Sequence, residues 1–177
     1  KVNGSGYVKI LAYDKALEVA YLEQLGQPLG ACGLSIKQQI EIICTTLKQT
    51  WIPLKASDQF PNTLKLIDWF MTHINEAWKA LNRPFSAELL VMTNHFIAQR
   101  KKDYHPQNTY LVHGDAHNYN MLQEKNGENA SFKLIDPDGI KSEPAYDLGV
   151  IMREWADELM VNPKEKLIKR LIFLHQL

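Results

Sequence analysis

The sequence predicts an α+β fold, and three observations lead there. Short alternating runs stand near the start and in the middle of the chain. Apolar stripes of helical period fill the stretch between them. A further helical run closes the sequence. The 177 residues are enough for one domain with a real core, and an apolar fraction of 45% is ordinary for one.

The first element is a strand. "GYVKILAYD" alternates from Tyr7 to Tyr13, with Val8, Ile10 and Ala12 on one face. Asp14-Lys15 can turn the chain, so "ALEVAYLEQL" can return as a second strand, although its Ala, Leu and Glu also suit a helix. "GQPLGACG" then interrupts regular structure. Ser35 can cap a helix carrying Ile36, Ile40, Ile43 and Leu47. "TWIPLKASDQFPN" reads as a loop. Asn62 or Thr63 caps a second helix striped by Leu64, Ile67, Phe70, Met71, Ile74, Trp78 and Leu81. Ser86 opens a third, with Leu89, Met92, Phe96 and Ile97, and the basic "QRKKD" suits its C-terminal end. Core burial is the expected role of all three stripes.

The middle changes character. "TYLV", "NML" and "FKLID" are short strands, and "EKNGENA" is a hairpin-type turn joining the last two. "AYDLGVIMREWADELM" returns to helical spacing. Asn162 caps a final helix with Pro163 at its first position and Leu167, Leu171 and Leu174 on its stripe.

Charge and cysteine narrow the function classes. Lys plus Arg number 20 and Asp plus Glu 20, a balance that gives no support for a nucleic-acid or membrane-surface partner. With only Cys32 and Cys44, neither a disulfide framework nor a zinc site is suggested, and a reducing cytoplasm is the expected setting. Cys44 falls in the apolar pattern of the first long helix and reads as a small buried hydrophobe. No signal peptide or membrane-length apolar run stands out. The sequence opens without Met and stops on "LIFLHQL", from which we expect a fragment of a longer chain. Nothing in it indicates an oligomeric state.

The chemistry concentrates in "LVHGDAHNYNML", where polar residues crowd a strand end. Asp115 is followed five residues later by Asn120, and Asp136 lies 21 residues beyond Asp115. Phosphoryl transfer from ATP asks little covalent chemistry of a protein. It asks for a carboxylate aligned with the acceptor hydroxyl and for magnesium held against the phosphates. Magnesium favours oxygen ligands and keeps several waters, so one carboxylate and one amide oxygen suffice. Asp115 suits the base, and Asn120 with Asp136 suits the metal. Protein kinases share this grammar: His-Arg-Asp with an Asn at the same offset, then Asp-Phe-Gly. Here Gly114 stands at the Arg position and "DPDG" replaces Asp-Phe-Gly.

"HGDAHNYN", "IDPDG" and "EPAYDLG" together resemble the aminoglycoside phosphotransferase family of small-molecule kinases, most of all its streptomycin and hydroxyurea kinase branch, which "MREWADEL" also resembles. The likeness spans nearly the whole chain. It implies a protein-kinase-like fold, with residues 1–25 as the end of a small lobe and its hinge, and residues 26–177 as the helical large lobe. It implies Asp115 as catalytic base, His113 as the residue orienting its loop, and Asn120 and Asp136 as the magnesium and nucleotide ligands. Asp138 would lie near a second metal or the phosphates, though "DPDG" is equally a good turn sequence. Asp147 would brace the catalytic loop. "AYLEQLG" aligns with the hinge, so adenine would bond backbone groups near Glu23 and Leu25. The cofactors implied are ATP and Mg2+, and the partner is a small molecule bearing a hydroxyl.

This sequence departs from the family pattern at its start. Lys9 and Lys15 are misplaced for an ATP lysine, and "NGSG" is too short for a phosphate-covering loop. The stretch alone is therefore expected to be inactive. A cationic acceptor would want carboxylates, and Glu154, Asp157 and Glu158 on one predicted helix are the candidates, Glu154 and Glu158 sharing a face; a solvated helix surface explains them as well. Trp155 reads as core, and Asn118 as loop bonding.

Two other classes compete. His113, Asp115 and His117 alternate, and a strand would project all three to one face as zinc ligands of a hydrolase, completed by Asp136 or Asp138. That reading leaves the Asn120 spacing and Asp147 unexplained. The other is a degenerate kinase lobe that binds without catalysis.

Overall fold

The computed structural model describes residues 4–55, 57–125 and 131–177. The architecture is α+β, with small antiparallel sheets set among helices. Strand β1 (Ile10–Asp14) pairs with β2 (Val19–Leu22) in a hairpin. The Asp14 carboxylate accepts from the backbone N–H groups of Ala16 and Leu17, which shapes the turn. The strand begins at Ile10 instead of Tyr7 because the preceding segment is drawn elsewhere. Val8 donates to the carbonyl of Leu134, and Leu134 donates back to Gly6.

A short strand β3 (Leu25–Pro28) leads through a single turn of tight helix to α1 (Ile36–Thr50). Ser35 and Gln38 form a reciprocal capping box at the start of α1. The buried face of α1 carries Ile40, Ile43, Cys44 and Leu47, and these residues form the centre of the core with Leu29, Met121, Leu134 and Ile151. Cys44 is buried as expected, and burial pushes its thiol up to about 11.

The expected loop after α1 contains a two-residue strand, β4 (Ile52–Pro53), paired with β5 (Tyr110–Val112). Helices α2 (Thr63–Ala80) and α3 (Ala87–Lys102) follow, capped by Asn62 and Ser86. Their stripes do not form core. Only Thr63 of α2 and Leu90 of α3 are buried, while Phe70, Leu89, Met92 and Phe96 are exposed. The two helices pack against each other and touch the body near β8, so their apolar stripes find no second layer.

Strand β6 (Met121–Glu124) sits between β3 and β7 (Phe132–Leu134), and β5 sits between β4 and β8 (Ile140–Ser142). The Asn126-Gly127 turn lies outside the described residues. The run after β8 is not one helix. It is α4 (Ala145–Arg153), then a break, then α5 (Ala156–Leu159). The break falls at Trp155, whose backbone is left-handed at φ 55. Arg170 of α6 (Pro163–Gln176) causes it: the buried guanidinium donates to the carbonyls of Ile151, Met152 and Glu154. Those carbonyls lose their helical partners and gain a charged one. Among the described residues, no helix is long and apolar enough to cross a membrane.

Candidate active site

Two loops meet between the sheets. The first, residues 113–120, connects β5 to β6. The second, residues 135–139, connects β7 to β8. Three hydrogen bonds join them. Ile135 donates its N–H to the carbonyl of Asn120, the His113 ring Nε2 meets the carbonyl of Ile135 at 2.9 Å, and Gly139 donates to the carbonyl of His113. Asp136 and Asp138 are therefore carried on a loop tied at both ends to the loop that carries Asp115.

The first loop is held from below by Asp147, which is fully buried in the first turn of α4. Its Oδ2 accepts from the backbone N–H of His113 at 3.0 Å and from Trp51 Nε1 at 2.9 Å. Its Oδ1 accepts from the N–H of Gly114 at 2.8 Å. Three donors on one carboxylate fix the backbone immediately before Asp115.

His113 is buried, and both ring nitrogens are used. Nε2 faces a carbonyl, so it carries the proton, and Nδ1 accepts from the N–H of Asp115 at 3.2 Å. Burial lowers its pKa, outweighing the Ile135 carbonyl and the nearby carboxylates, which act to raise it. The ring stacks on Tyr7, 5.8 Å between centroids. Burial in turn pushes the Tyr7 phenol up to about 12, with Asp147 adding to the rise. Tyr7 and Trp51 are supports that pattern reading did not single out, because each reaches its partner through long-range pairing that leaves no local mark.

The zinc arrangement does not form. Strand β5 ends at Val112, so the residues after it do not alternate on one face, and His113 has no nitrogen left for a metal. Among the described residues, no group of three His, Cys, Asp or Glu side chains is placed to hold a metal ion.

Asp115 is half-buried. Its Oδ1 lies 2.7 Å from Arg153 Nη2, and its Oδ2 lies 3.5 Å from His117 Nε2. Asn120 donates its side-chain N–H to the carbonyl of Asp115 at 3.0 Å. That bond fixes the amide, leaving Oδ1 as its acceptor end. Asn118 turns inward and donates to Gln39 of α1. Asp136 is exposed and left-handed, at φ 54, a strained backbone for a residue with a side chain. Asp138 is also exposed, and its Cβ packs beside Gly114. A cavity of about 640 Å3, mostly apolar, opens beside Asp136 between β1, β2 and β5.

The hinge candidates are bonded internally. Glu23 donates its N–H to the Lys9 carbonyl, and its carboxylate accepts from Lys133 at 2.6 Å and from the N–H of Lys9 at 2.7 Å. The hydrogen bond from Lys133 holds the Glu23 carboxyl below its ordinary range. Leu25 pairs with Glu124 across β3 and β6.

The acidic trio fares differently. Glu154 ends α4, Asp157 and Glu158 lie in α5, and the left-handed Trp155 between them rotates the face that Glu154 and Glu158 were expected to share. Glu158 is committed to an ion pair with Arg170. Arg153, absent from the sequence reading, faces Asp115 instead.

The family model for aminoglycoside/hydroxyurea antibiotic resistance kinases matches residues 2–174. Comparison with curated proteins found no match.

Proposed function

The chain belongs to the family of aminoglycoside/hydroxyurea antibiotic resistance kinases, phosphotransferases that act on small molecules, and from that premise we propose that it moves the γ-phosphoryl group of ATP to a hydroxyl, with an aminoglycoside-type antibiotic as the first acceptor to test. The observation that carries the reading is the bonded union of the 113–120 and 135–139 loops, which brings the backbone bearing Asp115 and Asn120 against the backbone bearing Asp136.

Asp115 is the base. It takes the proton of the acceptor hydroxyl as that oxygen bonds to the γ-phosphorus and ADP departs. His113 and Asp147 hold its loop. Asn120 Oδ1 and the Asp136 carboxylate would hold magnesium, and Asp138 stands close enough to Gly114 to share the phosphate side of the site. Both ligands offer oxygen, the donor that magnesium favours. When bound, magnesium neutralises charge on the phosphate oxygens. Residues 1–25 then close the nucleotide side as the end of a small lobe with its hinge at Glu23 and Leu25, and residues 26–177 form a kinase-like large lobe. The setting is the cytoplasm.

The test is ATP consumption by the full-length protein with streptomycin and other hydroxyl compounds. Asp115→Asn should lower turnover by about a hundredfold or more while leaving Mg-ATP affinity in place. Asp136→Ala should weaken Mg-ATP binding and turnover together; unchanged affinity would remove Asp136 from the metal. Failure of every hydroxyl compound to raise consumption above background would overturn the reading.

A further inference from the structure

We propose that the acceptor lies against the exposed face of α4, over Gly149, between the Tyr146 phenol and the Arg153 guanidinium. The inference rests on the phosphotransferase reading and gives it an acceptor subsite.

Tyr146, Gly149 and Arg153 are spaced i, i+3, i+7 on α4, while Asp147, Val150 and Ile151 face inward. Gly149 is exposed, and a Cβ built on it meets nothing within 4 Å. A glycine inside a helix is a poorer choice than alanine for folding, and crowding does not require this one. What it provides is bare helix surface between two donor side chains. That surface adjoins the base, because Arg153 Nη2 lies 2.7 Å from Asp115 Oδ1. Tyr146 belongs to the same neighbourhood. Its phenol is raised first by burial and then by Asp138, with Arg153 and Asp115 also acting on it.

The chemistry of these groups selects the acceptor. The Arg153 side chain is 65% exposed, so its pair with Asp115 is screened by water and easily rearranged. Its fork of five N–H donors can keep one bond to Asp115 and offer another to a ligand oxygen. A compound with a second oxygen beside the reacting hydroxyl satisfies both residues: Arg153 donates to the neighbouring oxygen while Asp115 takes the hydroxyl proton. The reacting oxygen gains the bond to the γ-phosphorus, the bond from that phosphorus to the ADP oxygen breaks, and ADP leaves with the electron pair. The subsite therefore favours an acceptor with a second oxygen beside the reacting hydroxyl over an isolated alcohol.

Gly149→Leu tests this in the full-length protein. The new side chain enters open space on a helix that leucine favours, so the fold should survive, as circular dichroism would verify. Calorimetric titration with streptomycin should show affinity reduced about tenfold or more in Gly149→Leu and in Arg153→Met, with part regained in Arg153→Lys. Mg-ATP affinity should stay within about twofold of the parent protein's. Undiminished streptomycin binding by Gly149→Leu, or equal weakening of both ligands, would overturn the subsite. A parent protein that binds Mg-ATP but not streptomycin overturns the subsite's preference for neighbouring oxygens. One that binds neither removes the phosphotransferase reading, and the subsite with it.

Discussion

Gly114 shows how much one residue can decide. It sits at φ +96, and a Cβ there would lie 2.7 Å from Asp138 Cβ and 2.9 Å from Ile140 Cδ1. Gly114→Ala combines backbone strain with a clash between the two loops, so it should cost about 2–3 kcal/mol, measurable by urea unfolding. His113 supplies a pH dependence. Its ordinary value is 6.5, and in the native protein burial holds it lower. Below pH 6.5 the unfolded chain takes up a proton that the native state refuses, so stability is fully present above that pH and declines as pH falls toward the native value. Urea midpoints should therefore drop from pH 7.5 to 5.5, and His113→Asn should flatten part of that drop; an identical slope in the variant would show that His113 is not its source. That the 113–120 and 135–139 loops would meet was legible from spacing because they flank one local hairpin, β6–β7. Arg153 was not, because a cation in the last turn of a helix already has an ordinary explanation in the helix dipole.

Elements with strong local signals matched their sequence patterns, and those shaped by distant contacts did not. Helix α1 has a capping box and one clean apolar face, both readable from Ser35 onward. Strand β4 has only Ile52 and Pro53, too few residues for any period, and exists because β5 is beside it. The α4–α5 break was illegible for a related reason. The run from Ala145 to Met160 keeps helical spacing, and the interruption is imposed by Arg170 from α6. That guanidinium also stacks over Trp155, 5.3 Å from its ring centroid, and pairs with Glu158. Arg170→Met would leave three carbonyls and a carboxylate without their buried cation. The expected cost is about 3 kcal/mol, again read from urea unfolding. A loss under about 0.5 kcal/mol would mean that the break holds without Arg170.

The molecule as a whole divides its stability unevenly. Seven residues of α1 are buried, against one in each of α2 and α3. Among the described residues, the α2–α3 pair meets the body through the Asn62–Lys141 bridge, the Lys141 N–H on the Pro61 carbonyl, the Thr63 hydroxyl on the Lys141 carbonyl, and the ion pair of Arg100 with Glu143. Within the pair, Trp78 donates to the carbonyl of Phe85, and Lys101 meets Asp68. These contacts are polar, only the Thr63–Lys141 bond is buried, and the ion pairs are open to water, so they add little against the conformational entropy of 34 helical residues, 18 in α2 and 16 in α3. The pair should open without disturbing α1 or the β5–β8 and β6–β7 ladders. Native-state hydrogen exchange tests this directly. Central amides of α2 and α3 should exchange at least about tenfold faster than those of α1, a gap of roughly 1.4 kcal/mol in opening free energy. Added urea should accelerate the fast set only slightly, because opening it exposes little new apolar surface. Equal protection across all three helices would mean that the pair unfolds only with the whole domain, and that its exposed stripes contribute stability through contacts other than those described.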